Sequence, residues 1–561
     1  MQKKVPIGYE DFKRIVDEDM YFVDKSLMIR DILDYKGSVN LYTRPRRFGK
    51  TLNLSMIRRF FEDELDADGK KIVNAYLFDT LKIKECGEEY MAHQGRYPVI
   101  NLSLKSGKQP TYEMAAASLV DEIAKEFKRH RYVLSSEKLT PNDRERFTAM
   151  MNYKAETIEY AKALEFLSAC LTQYHGTRTV ILIDEYDVPL ENAHFAGFYD
   201  LMTGFVRSVF ESALKTNINL EFAVITGCLR ISRESIFTGL NNLDIYSIMN
   251  PRYADAFGFT EEEVKELLSF YQLDDKFDEV KNWYDGYRFG KTEIYNPWSI
   301  INYVNAAMTD PQAYPRPYWS NTSSNSIIKE LIENADSAMK QEIEDLIAGG
   351  RVKKPVHEDI TYDSIYESQD NLWDFLYFTG YLKSGRESFE DDTEYVEFMI
   401  PNREIRTIYK RTIMTWFDKK MQNMDRSELI RALEDGDCEL FEKMVSEQLL
   451  ETISFFDYAE NYYHGFLAGL LKGAGRYLVI SNRESGEGRP DLILKTPSVR
   501  GSAIILELKV SDTFQAMEQE CRNALRQIES ADYEAGLRAE GYSDIKKYGM
   551  CFYRKECMVR K

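Results

Sequence analysis

Two stretches of this sequence pair residue types and spacings that suit phosphate chemistry. The first, Arg44-Pro45-Arg46-Arg47-Phe48-Gly49-Lys50-Thr51, joins a short apolar run to a helical pattern. Gly49, Lys50 and Thr51 fit the end of the phosphate-loop pattern GxxxxGK[ST], with Arg44 standing where the first Gly belongs. Such a loop surrounds a β-phosphate with backbone N–H groups and a helix N-terminus, here those of Arg47, Phe48 and Gly49. Lys50 would neutralise β/γ oxygens and the Thr51 hydroxyl would ligate Mg²⁺. Taken alone, GKT reads equally well as a basic turn before a helix. Val180-Ile181-Leu182-Ile183-Asp184-Glu185 shifts that balance, being four apolar strand residues that end in an acidic pair. In this Walker B pattern Asp184 holds Mg²⁺ through water and Glu185 polarises the attacking water. A buried strand ending in an acidic loop is the plainer alternative, and both motifs in this order argue against it. A third strand ends in Thr226-Gly227-Cys228-Leu229-Arg230. Its tip would lie beside the other two, since ligands bind at the carboxyl ends of parallel strands. Thr226 is placed to sense the γ-phosphate or orient water. Arg230 would stabilise transition-state charge, in cis or across a subunit boundary, or pair structurally with Glu234.

The second stretch lies near the other end of the chain. Pro490-Asp491 opens an apolar run, and Glu507-Leu508-Lys509 closes another, Glu507 following Asp491 by sixteen residues. In a hairpin these runs are neighbours, and period-two alternation puts Glu507 and Lys509 on one face beside Asp491. Two carboxylates held together repel unless a cation joins them, which makes a natural Mg²⁺ site. Metal there would activate water against a phosphodiester, with Lys509 orienting the nucleophile or neutralising the oxyanion. Glu460, on the preceding helix, is a candidate further metal acid. A bare ExK in a strand is otherwise a surface pair.

The elements that must carry these residues follow from periodicity. Ser38–Tyr42, Pro98–Leu102, Thr179–Ile183 and Glu221–Ile225 are short apolar runs, as expected of parallel strands buried on both faces. Helical stretches separate them (Thr51–Leu65, Tyr112–His130, Thr157–Tyr174), which indicates a βαβ-type α/β domain. From Phe259 the pattern turns helical, with Thr260 and Glu263 as a capping box and Asn296 or Pro297 opening another helix. Strand candidates Tyr477–Ser481, Asp491–Lys495 and Ala503–Val510 lead to a helix near Thr513–Glu529 and a last strand, KKYGMCFYR. The aromatic WYDGYRF and the Arg403, Arg406, Lys410, Arg411 cluster read first as a packed core and a solvated helix face. His464 reads as a packed helix residue.

Composition narrows the classes. At 561 residues the chain is too long for one ordinary core, and 44% hydrophobic content with 15 Pro and 30 Gly excludes a disordered or collagen-like protein. Apolar runs stay far below the ~20 residues of a membrane span. MQKKVPIGYEDF lacks an apolar h-region, and seven scattered Cys suit reduced thiols, so a cytoplasmic protein without contact to membrane is expected. A net charge of −19 requires any nucleic-acid contact to use a local groove or a metal ion.

YFVDKSLMIRDIL, TRPRRFGKTLNLSMI, LIDEYDVPL, TGCLRISRESIFTGLNNL, WYDGYRFG and IYNPWSI together resemble the AAA-ATPase-like family. These are prokaryotic P-loop proteins whose chains typically end in a PD-(D/E)XK nuclease-like domain, and the resemblance covers essentially the whole chain. It implies that Arg44 is a common replacement for the first Gly, one that must reshape the loop. It implies too that Pro6, Ile7, Asp24 and Lys25 lie near the nucleotide, unless that segment merely caps the sheet. Gln527 and Tyr533 resemble the helical motif that follows the nuclease core. The expected architecture is an α/β P-loop NTPase parallel sheet flanked by helices (1–255), a helical lid (256–310) and a connecting region (311–425), for which a winged-helix-like form is one option. A PD-(D/E)XK nuclease-like α/β domain (426–561) follows. The expected function is ATP–Mg²⁺ binding and hydrolysis coupled to metal-dependent cleavage of nucleic acid, DNA before RNA, in a chain that could form homo-oligomers. The rival expectation is a nucleotide-dependent switch or scaffold whose C-terminal fold binds without cleaving.

Overall fold

The computed structural model describes residues 3–230, 236–237, 240–319, 336–358, 362, 365, 368–423, 427–451, 460–472, 477–481 and 490–561, the side chains of 337, 414–423, 450–451 and 460–461 apart. The chain divides into two compact units, Met1–Ser324 with Arg351–Arg406, and Asn325–Gly350 with Thr407–Lys561. Parts of the stretch expected as one connector, 311–425, thus fall in each unit.

In the first unit the apolar runs become parallel strands, as their two-sided hydrophobicity requires. These are β1 (Val39–Thr43), β2 (Val99–Ser103), β3 (Thr179–Asp184), β4 (Leu220–Gly227) and β5 (Leu243–Tyr246). The five strands run in the order β2-β3-β4-β1-β5. β4 therefore sits between the strand that leads into the phosphate loop and the strand that ends in Asp184. Every residue of β1 and β3 is buried. The helix Lys50–Phe61 packs Met56, Ile57, Phe60 and Phe61 inward after the loop, and Tyr112–Arg129 follows β2. The helix expected over 157–174 is broken in two, Thr157–Tyr160 and Ala163–His175.

Beyond β5, the capping box at Thr260 forms as expected: the Glu263 N–H donates to Thr260 Oγ1, and the Thr260 N–H donates to the Glu263 carboxylate. Asn296 caps the helix Pro297–Thr309 with Pro297 in its first turn. Between these helices lies a hairpin the sequence reading did not anticipate, β6 (Tyr287–Phe289) and β7 (Thr292–Ile294). Gly290 makes its turn at φ +53°, and a Cβ there would lie 2.6 Å from Pro251 Cα. The aromatic stretch WYDGYRF is core: Tyr284, Tyr287 and Phe289 are all buried. A three-stranded antiparallel sheet, β8 (Val352–Pro355), β10 (Thr393–Met399) and β9 (Lys383–Glu390), completes the unit.

The second unit is built on a mixed sheet of five strands, β11 (Leu478–Ser481), β12 (Leu492–Lys495), β13 (Ser502–Val510), β14 (Asp544–Tyr553) and β15 (Glu556–Arg560), in chain order. β13 pairs antiparallel with β12 and parallel with β14. The helix Met517–Ser530 crosses between β13 and β14 and buries Met517, Cys521, Ala524 and Ile528. Its approach demands Gly549, where a Cβ would lie 2.3 Å from the Cys521 carbonyl oxygen. Ser427–Asp435, Cys438–Glu451 and Glu460–Leu471 cover the opposite side through Leu433, Phe441, Val445, Leu467 and Leu470.

At the amino ends of the parallel strands, away from the phosphate loop, a buried ionic cluster ties the helix Lys50–Phe61 to β2. Glu62 accepts from Arg129 and, at 2.8 Å, from Arg58, while Arg129 also reaches Glu126 and the Val99 carbonyl, each at 2.6 Å. Burial pushes the Glu62 carboxyl up, but Arg129 and Arg58 outweigh it and hold it at about 2. A depressed folded-state value contributes stability that is complete above the ordinary 4.5 and is lost as pH falls toward 2. Glu62→Gln should destabilise the protein at pH 7 by about 3–5 kcal/mol, because Arg129 loses a buried partner. It should also flatten the acid limb below pH 4.5, read from denaturant midpoints across pH.

Candidate active sites

β1 delivers the chain into the loop, and the helix Lys50–Phe61 leaves it, with Gly49 as N-cap at φ +84°. A Cβ on Gly49 would meet nothing within 4 Å; this face of the loop is open. Arg47 also adopts the left-handed region, φ +71°, a conformation that a non-glycine residue rarely holds. The Lys50 ammonium donates to the carbonyls of Arg44 and Pro45, both at 2.9 Å, and lies 3.6 Å from Cys228 Sγ. Thr51 Oγ1 donates to Asp184 Oδ2 at 2.7 Å, and the Thr226 hydroxyl donates to the other Asp184 oxygen. The strand order thus gathers four expected residues from three strand ends: Lys50, Thr51, Asp184 and Thr226. Glu185, at φ +52°, follows, its carboxyl raised by burial and by the neighbouring Asp184. A hydroxyl and a carboxylate side by side are hard oxygen donors of the kind Mg²⁺ takes, so the residues fit a nucleotide–Mg²⁺ complex.

Arg44 does not crowd this loop. Its side chain turns away into the core, fully buried, and its guanidinium donates to the carbonyls of Thr43, Tyr246 and Tyr253 at 2.7–3.1 Å. The rings of Phe257 and Phe289 lie against it at 5.0 and 5.1 Å. Phe48 is likewise buried, against Tyr287 and Phe289, so its backbone alone can serve a phosphate.

A cavity of about 460 Å³ opens over the loop. Lys50, Thr51, Gly49 and Glu185 line its polar end, and Val5, Tyr21, Phe259, Leu267, Trp298 and Ile301 contribute apolar surface. Pro6 and Lys25 line it too, whereas Ile7 and Asp24 are not among its lining residues. Asp24 instead accepts from the Ser26 and Lys82 N–H groups. The Lys25 ammonium is taken by both Glu263 oxygens at 2.6 and 2.7 Å, which fixes the N-terminal segment to the capping box. Arg230 also does not line the cavity; its guanidinium donates to Glu358 at 2.7 Å. Glu234, the partner considered from sequence, lies outside the described residues. Among the cavity residues that sequence reading did not single out are Trp298, whose ring lies 4.4 Å from the Arg47 guanidinium, and Lys105 and Lys108. The only signal for the lysines was their position just past the end of β2.

In the second unit Leu492 pairs with Leu506, which sets Asp491 opposite Glu507. The Leu508 N–H donates to Asp491 Oδ2 at 2.8 Å, the Asp491 N–H lies 3.4 Å from Glu507 Oε2, and Lys509 Nζ lies 3.5 Å from Glu507 Oε1. Asp491, Glu507 and Lys509 therefore converge as alternation required. Burial pushes the Glu507 carboxyl up to about 7, with Asp491 adding to the rise and Lys509 opposing it. Two carboxylates held side by side are oxygen donors that a divalent ion would fit. Among the described residues no group of three or more His, Cys, Asp or Glu side chains is arranged to hold a metal. The side chain of Glu460, the candidate third acid, lies outside them. His464 is buried and sets Nε2 3.1 Å from the Asp491 carbonyl oxygen, against the site rather than in it. Gln527 Nε2 donates to the Tyr533 hydroxyl at 3.4 Å. Without metal, the raised Glu507 carboxyl weakens the fold as pH climbs from 4.5 to about 7. Glu507→Gln should therefore stabilise the metal-free protein at pH 8, by on the order of 2 kcal/mol, and abolish the rise in melting temperature that Mg²⁺ gives the wild type.

Comparison with known proteins agrees with this geometry. Residues 6–237 match the AAA-ATPase-like family, described as "Predicted AAA-ATPase". Residues 458–561 match the PD-(D/E)XK nuclease superfamily. A protein of Azotobacter chroococcum mcd 1, named "Uncharacterized protein in vnfD 5'region", is 27% identical over 333 residues, which cover 59% of this chain and 56% of that protein. The match thus spans little more than half the length of that relative. No helix among the described residues is long and apolar enough to cross a membrane. With the phosphate loop, Asp184 and Thr226 in one region and Asp491, Glu507 and Lys509 in the other, the chain joins an AAA-ATPase-like domain to a domain of the PD-(D/E)XK nuclease superfamily.

Proposed function

We propose that this chain binds and hydrolyses ATP at its N-terminal site and that the nucleotide cycle governs a metal-dependent phosphodiesterase acting on nucleic acid at its C-terminal site. The observation that carries the reading is the bridging of Thr51 and Thr226 by Asp184, which unites three strand ends beneath one cavity beside Lys50. When bound, a divalent cation supplies each site with positive charge against phosphate oxygens. Lys50 leaves its loop carbonyls to neutralise the β/γ oxygens, and the N–H groups of Arg47, Phe48 and Gly49 close on the β-phosphate. Glu185 orients water and accepts its proton, and Thr226 holds the carboxylate of Asp184 in place. In the second unit Asp491 and Glu507 hold the cation, and Lys509 orients the nucleophile or offsets charge on the cleaved phosphate.

A route for coupling is supported by contacts inside the first unit. The Trp319 indole N–H donates to the carbonyl of Arg46 in the phosphate loop at 3.2 Å, and the Trp319 backbone N–H donates to Glu404 at 2.9 Å. Glu404 is fully buried, also accepts from Ser299 Oγ at 2.8 Å, and sits in the first turn of the helix Arg403–Asn423. That helix begins in the first unit and ends in the second. A shift of the loop on binding phosphate would thereby reach the first turn of a helix whose chain continues into the second unit.

A second reading, a nucleotide-dependent switch that binds without turning over, is favoured by one observation: Arg230 is engaged by Glu358 rather than facing the cavity. Purified protein separates the two. Lys50→Ala should lower Mg²⁺-dependent ATP turnover by roughly 10²-fold. Glu507→Ala and Lys509→Ala should each abolish cleavage of DNA or RNA by Mg²⁺ or Mn²⁺, measured with and without ATP. Nucleotide binding without turnover or cleavage under any of these conditions would support the switch.

A further inference from the structure

The loop after β2 carries two lysines that belong to neither phosphate motif. Ser103 pairs with Asp184 across the β2–β3 ladder, and the Leu104 N–H donates to the Asp184 carbonyl at 3.0 Å. Lys105 therefore lies two residues beyond the strand tip, near Glu185. The turn that follows is firmly seated. Gly107 is buried where a Cβ would lie 2.7 Å from Pro189 Cβ, Ser106 Oγ donates to the Ser118 carbonyl at 3.4 Å, and Asn192 donates to the Gln109 carbonyl. From this fixed backbone Lys105 and Lys108 both line the cavity that holds Lys50, Thr51 and Glu185.

The other cations lining that cavity already have work. Lys25 is paired with Glu263, Arg46 with Glu191, Arg47 lies over Trp298, and Lys50 spans the loop carbonyls. Among the described residues the Lys105 ammonium pairs only with an exposed carboxylate, Glu10 Oε1 at 3.3 Å, its own side chain 62% exposed, and such pairs hold weakly. Lys108 makes no ion pair among the described residues and is exposed. The wall they stand on is acidic through Glu185 and Glu191, and Arg230 is not there to offset it. A triphosphate's terminal group, the most highly charged part of the ligand, needs cations on this side as well as at Lys50.

We propose that Lys105 and Lys108 form a cationic clamp, supplied in cis, on the terminal phosphate of a nucleoside triphosphate. The proposal rests on the nucleotide-site reading above and deepens it: the clamp makes the site tell triphosphate from diphosphate. Lys105 exchanges Glu10 for the phosphate when the nucleotide enters, and both ammonium groups stabilise charge as the terminal group departs.

The test is equilibrium binding of ATP and ADP, each with Mg²⁺, to the full chain carrying Lys105→Met, Lys108→Met or both, with Lys105→Arg and Lys50→Ala as comparisons. Each Met variant should weaken ATP about tenfold while ADP moves less than about twofold, and Lys105→Arg should keep most of the preference. Equal weakening of ATP and ADP, or no change in either, overturns the clamp. Wild-type protein that binds neither nucleotide, or Lys50→Ala that binds both as well as wild type does, overturns the site itself and the clamp with it. Both lysines are exposed, so the variants are expected to fold, and an unchanged melting temperature verifies it.

Discussion

A carboxylate buried at the end of a strand must be met by donors or by a cation, and in this chain that demand organises the chemistry twice. Asp184, at the tip of β3, is 5% exposed and takes one hydroxyl on each oxygen, Thr51 from the helix after β1 and Thr226 from β4. Because β4 lies between β3 and β1, this single side chain ties together three strand ends that are far apart in sequence. Asp491 and Glu507 meet the same demand less completely. Asp491 finds one backbone donor, and Glu507 has Lys509 at 3.5 Å, so the pair retains an excess of negative charge that burial magnifies. One site is preorganised by hydrogen bonds and the other is left electrostatically unfinished. Both conditions favour a divalent ion against phosphate, the first by holding its ligands in place and the second by gaining most when the ion arrives.

Arg44 illustrates how a loop tolerates a residue that its pattern should exclude. In GxxxxGK[ST] the first Gly permits a tight turn. Here the side chain instead leaves the loop, and three carbonyls together with two aromatic faces receive the guanidinium inside the core. Burying an unpaired guanidinium is expensive unless its donors are satisfied, and these carbonyls take its two terminal nitrogens while Nε finds no partner among the described residues. The left-handed conformations fall to Arg47 and Gly49. The loop is thus anchored from beneath by Arg44 and from the side by Trp319, and its residues Arg46 to Thr51 line the cavity.

Much of this was legible in the sequence because it depends on local period and spacing. Continuous apolar runs between helical stretches specified parallel strands, and the sixteen residues from Asp491 to Glu507 specified a hairpin register. What could not be read depends on partners brought from afar. The carbonyls of Tyr246 and Tyr253 that receive Arg44 lie about 200 residues away in the chain, and nothing in TRPRRFGKT announces them. The same holds for Glu358 on Arg230 and for Glu263 on Lys25, each of which removes a cation from the role its motif suggested. Lys105 and Lys108 escaped for the opposite reason. LKSGK looks like any exposed basic turn until the register of β2 against β3 sets it beside Glu185.

The central claim is that two separate groups of oxygen ligands in one chain take up divalent ions, one of them only together with a nucleotide. Counting bound Mn²⁺ on the full chain, by electron paramagnetic resonance with and without a non-hydrolysable ATP analogue, tests it most directly. The account predicts a nucleotide-independent class of bound ion that Asp491→Asn removes, and a further class that the analogue creates and Asp184→Asn removes. Occupancy that ignores the nucleotide, or that survives both substitutions, would contradict it.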